Sequence, residues 1–215
     1  MSRGLLITLE GGEGAGKSTQ IARLAERARA RGVEVLTCRE PGGTPLGERL
    51  REALFGLDAA PSALAELLTF SAARAELVAT VMRPAIERGA LVLCDRFTDS
   101  TLAYQGYGRG LDLATIEAVN AAATGGLAPD LTLLLDLDPA AGRARGAEGG
   151  TDYLEREALA FHERVRAGFQ ALAAREPGRW RVIDAWGDID AVTAAAWAPV
   201  EALLTASSAG DASNR

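Results

Sequence analysis

The chain of 215 residues predicts a three-layer α/β/α fold, a parallel central sheet with helices on both faces. Three observations lead there. Short apolar runs of strand length alternate with longer segments whose apolar residues recur at helical spacing. The first strand, Leu5-Leu6-Ile7-Thr8-Leu9, runs into a glycine loop that opens a helix. Later strands are strongly apolar: Leu91–Cys94 throughout, and Leu131–Leu137 most of all, which predicts that it lies in the middle of the sheet.

The loop is Gly11-Gly12-Glu13-Gly14-Ala15-Gly16-Lys17-Ser18-Thr19. Gly11, four residues, Gly16, Lys17 and a hydroxyl make the phosphate-binding pattern. Glycines let backbone N–H groups crowd around phosphate oxygens. Lys17 brings a mobile charge to the β- and γ-phosphates, and Ser18 a hydroxyl for Mg²⁺. Ile21, Leu24, Ala25 and Ala28 place a helix behind the loop, its positive end toward the anion. Lys17 is the only lysine; every other cation is an arginine.

The helix runs to about Arg31, with Gly32 as its stop. Val33–Cys38 is the second strand, followed by the rigid turn Arg39-Glu40-Pro41-Gly42-Gly43-Thr44-Pro45. A short helix carrying Arg49 and Arg51 ends near Gly56. Ser62 caps a long helix to about Arg88, with Leu64, Leu67, Leu68, Ser71, Ala75 and Val78 as its apolar face and a kink or split at Pro84. Asp95-Arg96-Phe97 sits at the C-terminal end of the third strand, the end that faces ligands. From Ser100 a helix start runs into a flexible glycine-rich loop reaching Asp112, and a helix follows from Leu113 to Ala123. Pro139 opens a helix, Gly142–Gly150 is a mobile segment, and Glu155–Arg175 is helical again. Arg181–Ala185 is the last strand and Ile189–Leu204 the last helix. Residues 1–206 read as one domain, and 207–215 as a frayed polar tail.

A net charge of −6 argues against a nucleic-acid surface. Cys38 and Cys94 read as buried thiols of a reducing compartment, not a disulfide or metal site. His162 is the sole histidine, which excludes histidine triads and multi-histidine metal sites. No apolar run is expected to reach the length of a membrane span, and Met1-Ser2-Arg3 leads directly into the first strand. A cytoplasmic location is the default. A guanine-reading Asn-Lys-x-Asp motif is impossible with one lysine already used, so a GTPase is excluded.

Four segments in order carry a resemblance: Glu10 through Thr19, Arg39-Glu40-Pro41-Gly42-Gly43-Thr44, Phe70 with Arg74, and Asp95-Arg96-Phe97 followed by Ser100-Thr101-Leu102-Ala103-Tyr104-Gln105-Gly106. Over nearly its whole length the chain resembles the thymidylate kinase (dTMP kinase) family, within the P-loop nucleoside monophosphate kinases. The resemblance implies transfer of the ATP γ-phosphoryl group to dTMP, giving dTDP and ADP, with Mg²⁺ held by Ser18 and Asp95. It implies that Gly11–Thr19 hold ATP and that Arg39, Arg51 and Arg96 hold the dTMP phosphate. Glu13 then lies near the sugar 3′-hydroxyl, and Glu40 and Tyr104 belong to the acceptor site. Phe70 stacks on thymine, Arg74 meets the base edge, and Ser100, Thr101 and Gln105 read base and sugar. Residues 142–152 become a lid whose Arg143 and Arg145 are catalytic, because the loop itself contains no arginine. The resemblance also implies a homodimer. Phe97 departs from the tyrosine or histidine of many relatives, and the glycine-rich stretch 146–151 is also unusual. The alternatives are another nucleoside monophosphate kinase and a non-catalytic nucleotide binder.

Overall fold

The computed structural model describes residues 3–146 and 152–212. Its strands are β1 (Leu5–Glu10), β2 (Val35–Arg39), β3 (Leu91–Asp95), β4 (Leu131–Asp136) and β5 (Trp180–Asp184). They pair in the order β2-β3-β1-β4-β5, all in parallel. The middle strand is β1, and the more hydrophobic β4 lies beside it. Hydrophobicity reports burial on both faces, which every internal strand shares, so it could not separate the two. The chain winds to one side of β1 for β2 and β3 and to the other for β4 and β5. The loop after β1 therefore opens into the crevice at the strand ends.

The two faces of β1 pack on different helices. Ile7 and Leu9 join the core formed by Ile21, Leu24 and Ala28 of α1 (Lys17–Ala30) and Val192, Ala196 and Val200 of α9 (Ile189–Ala212). Leu6 faces the other way, onto Leu77, Val78 and Met82. Those residues belong to α3 (Ala63–Leu77) and to a π-helical turn, Val78–Met82, that passes into α4 (Arg83–Glu87). Pro84 lacks an N–H, so the ladder widens just before it, where the sequence predicts a kink. The buried stripe of α3 is Glu66, Leu67, Ser71, Ala73, Arg74 and Leu77; Leu64 and Leu68 of the predicted apolar face are each 51% exposed. Two polar residues that find partners displaced two leucines from the inner face.

α2 (Pro45–Phe55) follows β2 and precedes α3; it is started by Thr44, whose hydroxyl accepts from Gly47 N at 2.9 Å, a cap worth about 1 kcal/mol. Ser62 caps α3 in the same way through Ala65 N.

The segment after Ser100 corrects the sequence reading. α5 (Thr98–Thr101) continues as π-helix through Leu102–Gly108, and Tyr104, Gln105, Gly106 and Gly108 are buried. The glycines serve close packing, not flexibility. A Cβ on Gly106 would lie 2.4 Å from Leu113 Cδ2, and one on Gly108 2.7 Å from Phe161 Cε2. Phe161 lies on α8 (Leu159–Arg175), which starts four residues later than Glu155, because Asp152 ties the chain into a turn by accepting from Leu154 N and Glu155 N, each at 2.9 Å. α6 spans Leu113–Thr124, capped by Asp112.

α7 (Pro139–Gly146) extends into the stretch expected to be mobile: Gly142, Arg143 and Arg145 are helical, with Asp138 accepting from Ala140 N at 3.0 Å at the helix start. The part of the proposed lid from 147 to 151 lies outside the described residues. α9 continues to Ala212, past the expected end at Leu204 and into the segment expected to fray; 213–215 lie outside the described residues. By length and composition its stretch Ile189–Ser207 (mean hydropathy 1.2) is long and apolar enough to cross a membrane, contrary to expectation. Many alanines raise its hydropathy without forming one unbroken apolar run. Asp190 and Glu201 interrupt it and pair with Arg23 and Arg31 of α1.

Candidate active site

The loop after β1 is shaped by backbone contacts that admit no side chain. Gly11, Gly14 and Gly16 have φ of +140°, +67° and +87°. A Cβ on Gly11 would meet Leu135 O at 2.4 Å; one on Gly14 would meet Gly142 O at 2.2 Å. The loop is thus wedged between β4 and the start of α7. Ala15 packs beneath it in the core. Lys17 opens α1 and turns its ammonium back onto the carbonyls of Gly12 (2.8 Å) and Gly11 (3.2 Å). Burial, and then the Arg96 charge, push the Lys17 amine down to about 7. Ser18 Oγ donates to Asp95 Oδ2 at 3.0 Å, across the register that pairs Leu9 with Asp95.

Arg96 has φ +67°, the one non-glycine residue in the left-handed region among the described residues. That turn brings its guanidinium over the loop. Nη1 donates to Gly11 O at 3.0 Å and to Ser100 Oγ at 3.2 Å, and the group lies 5.0 Å from the Tyr104 ring centre. Glu10 holds the turn from below: it is fully buried, accepting from Phe97 N at 2.8 Å and Ser100 Oγ at 2.5 Å. Phe97 fills the core beneath, a task that needs no hydroxyl.

A cleft of about 540 Å³ runs from the loop to α2 and α3. It is lined by Glu13, Gly14, Gly16, Lys17, Ser18 and Thr19 at one end and by Arg39, Glu40, Arg51, Phe70 and Arg74 at the other. Asp95, Arg96, Ser100, Thr101, Tyr104 and Gln105 form the wall between them, and Arg145 reaches in from α7. Gly11, Gly12 and Ala15 shape the loop without lining this cleft, and Arg143 borders a smaller pocket behind it with Gly12 and Glu13.

Charge is concentrated at both ends. Arg51 donates to Pro41 O at 3.1 Å and lies 4.7 Å from the Phe55 ring centre. Burial, and then Arg39, lower its pKa. Arg39 itself is exposed and grips Glu48 at 3.1 Å. Arg74 is 2% exposed and held on all sides: Nε to Glu40 (2.8 Å), Nη1 to Asn120 (2.6 Å), and Nη2 to Thr101 Oγ1 (2.8 Å) and Phe97 O (3.2 Å). Burial raises the Glu40 carboxyl despite this partner. Phe70 stands at the wall with its other side tilted against Phe55, 6.3 Å between centres.

The two arginines expected of the lid are both engaged by backbone. Arg143 donates to Glu157 O (2.7 Å) and Glu155 O (3.1 Å); Arg145 donates to Ala185 O (2.9 Å) and Trp186 O (3.1 Å) and lies over the Trp186 ring. Several residues of the cleft escaped the sequence reading. Leu154, Glu155 and His162 line it, beside Asp152 from the end of the expected lid, and burial together with the facing Glu13 carboxyl pushes Glu155 up to about 7. Their approach depends on the turn at 152–157, for which the sequence carries no motif. Glu10 did have a signal: an acid ending an otherwise apolar strand directly before the loop.

The family model described as thymidylate kinase matches residues 9–196. The chain belongs to the thymidylate kinase family. Thymidylate kinase of Deinococcus radiodurans is 56% identical over 201 residues, 93% of this chain and 98% of that one. The Synechococcus strain JA-2-3B'a(2-13) enzyme is 56% identical over 206 residues, covering 96% and 98%. The crystal structure of thymidylate kinase from Ehrlichia chaffeensis superposes with a TM-score of 0.72 at 38% identity, covering 84% of this chain and 93% of that one. The activity is accordingly ATP-dependent phosphorylation of dTMP, with Mg²⁺ accompanying ATP. The Ser18 hydroxyl and Asp95 carboxylate, hard oxygens 3.0 Å apart at the foot of the phosphate loop, fit that ion.

Proposed function

We infer that the loop end of the cleft takes ATP and the Arg39–Arg51 end takes dTMP. One observation carries this assignment: a single cleft gathers like charges, Lys17 with Arg96 and Arg51 with Arg39, and the Arg96 charge lowers the pKa of Lys17 as the Arg39 charge lowers that of Arg51. Cations crowded in this way are relieved by anions, and two such clusters suit two phosphate-bearing ligands. Phe70, at the Arg39–Arg51 end, offers a flat apolar face for the acceptor base.

In this reading the dTMP 5′-phosphate oxygen attacks the γ-phosphorus, and the bond to the β-bridging oxygen of ATP breaks. The nucleophile is already an anion, so alignment and charge neutralisation are the main requirements. Lys17 and Arg96 exchange the carbonyls of Gly11 and Gly12 for phosphate oxygens. Ser18 and Asp95 would hold Mg²⁺, which when bound would supply further charge neutralisation. Arg145 is the lid arginine best placed to join them, because it lines the same cleft as Lys17. Residues 142–152 act as the lid, excluding water during transfer. Residues 1–206 form the catalytic domain, the enzyme is a cytoplasmic homodimer in keeping with the family resemblance, and neither nucleic acid nor membrane is a partner.

The test is ADP release from ATP and Mg²⁺ with dTMP, dUMP, dCMP, AMP or no acceptor. Preference for dTMP is expected. Equal release without acceptor would overturn the assignment of the second end.

A further inference from the structure

Glu66 has no exposed surface, yet it stands one helical turn before Phe70 on α3, beneath the acceptor end of the cleft. Both its oxygens are engaged. Oε1 accepts from Gln105 Nε2 at 2.6 Å and from Arg109 Nε at 3.4 Å, and Oε2 accepts from Arg109 Nη2 at 3.2 Å. Arg109 is braced in turn by Glu157 and by the Phe161 ring, 4.8 Å from its guanidinium. A carboxylate paired with a guanidinium is an acceptor and nothing else. Gln105 can therefore meet it only through its NH₂ group. Turning the amide over would break a charge-assisted hydrogen bond and set two acceptor oxygens in contact. The end left for the cleft, which Gln105 lines, is the carbonyl oxygen. Arg74 on the same wall can only donate.

We propose that Glu66, held by Arg109, sets the polarity of Gln105 and so makes the acceptor site choose thymine over cytosine. An acceptor beside a donor complements the N3–H and O4 edge of thymine. Cytosine presents the reverse, an N3 acceptor beside an amino donor, and meets Gln105 oxygen against nitrogen lone pair. Glu66 and Arg109 are thus positioning residues that act through Gln105. The inference rests on the reading of this end of the cleft as the dTMP site.

Two variants free the amide by different routes. Glu66→Gln provides both a donor and an acceptor, so either orientation of Gln105 is satisfied. Arg109→Gln removes the two hydrogen bonds that fix the Glu66 carboxyl, so that it no longer holds Gln105 in one orientation. Arg109 is the less buried of the two, so its variant keeps the test open if Glu66→Gln does not fold. The measurement is kcat/KM for dTMP and for dCMP, or the inhibition constant of dCMP against dTMP where its turnover is too slow, alongside thermal melting. The ratio of dTMP to dCMP is expected to fall at least tenfold in either variant, and Glu66→Gln is expected to change nothing further in a Gln105→Met background. A loss shared equally by both nucleotides, or an unchanged ratio, overturns the proposal, as does an effect of Glu66→Gln that persists without Gln105. A wild-type enzyme that prefers another nucleotide to dTMP overturns the underlying assignment of the cleft as well.

Discussion

Ser18 Oγ donates to Asp95 Oδ2 at 3.0 Å, joining the first turn of α1 to the end of β3. The bond brings two hard oxygens together beside the phosphate loop, in a place set by the parallel register of β1 and β3. Asp95→Asn keeps the shape and removes the charge. We expect kcat to fall by about 10- to 100-fold and the Mg²⁺ concentration for half-maximal rate to rise. A magnesium titration of ADP release checks this, and an unchanged half-maximal concentration removes Asp95 from the metal site.

Lys17 is buried and bonded to loop carbonyls, and the proposed mechanism has it trade those carbonyls for phosphate oxygens. Lys17→Ala should lower turnover by about 10³-fold or more, with no drop in melting temperature. Retained turnover would take the loop out of the mechanism.

Glu10 is pushed up to about 8, by burial first and then by the Asp99 charge. Its ordinary value is 4.5, so between 4.5 and about 8 the folded chain binds the extra proton. Its contribution to stability therefore falls as pH rises through that window and is level on either side. Glu10→Gln cannot titrate. The melting temperature of the variant relative to wild type should rise from pH 5 to pH 8.5; a flat or falling difference would count against the buried titration.

Arg74 and Glu40 form an ion pair in which both side chains are almost wholly buried. Arg74→Met leaves a carboxylate buried without its partner, at a cost of roughly 3–5 kcal/mol. That corresponds to a melting temperature lower by roughly 6–20 °C for a chain of this size. Adding Glu40→Leu should recover most of the loss, since an apolar pair needs no desolvation of charge. A double variant as unstable as the single one would show that the pair is not what holds this region.

The extent to which the site was legible differs from residue to residue. Lys17, Ser18 and Asp95 could be placed from spacing and strand ends, because a phosphate loop has one backbone solution and a strand end points one way. Leu64 and Leu68 were misplaced because helical spacing admits two adjacent stripes, and only the partners of Glu66 and Arg74 decide which stripe turns inward. Gly106 and Gly108 suggested a loop by composition, although they are helical and exist so that Leu113 and Phe161 can approach.

By itself the sequence determined the alternation of strands and helices, the phosphate loop and the family, since these depend on local patterns and on motif order along the chain. The tertiary structure decided which strand is central, how Glu10 and Ser100 support Arg96, and how Glu66 orients Gln105. Such contacts join residues 39 to 90 positions apart, as Gln105 with Glu66 and Ser100 with Glu10. Their strength comes from burial, and burial is a property of the packed chain that no local stretch of sequence contains.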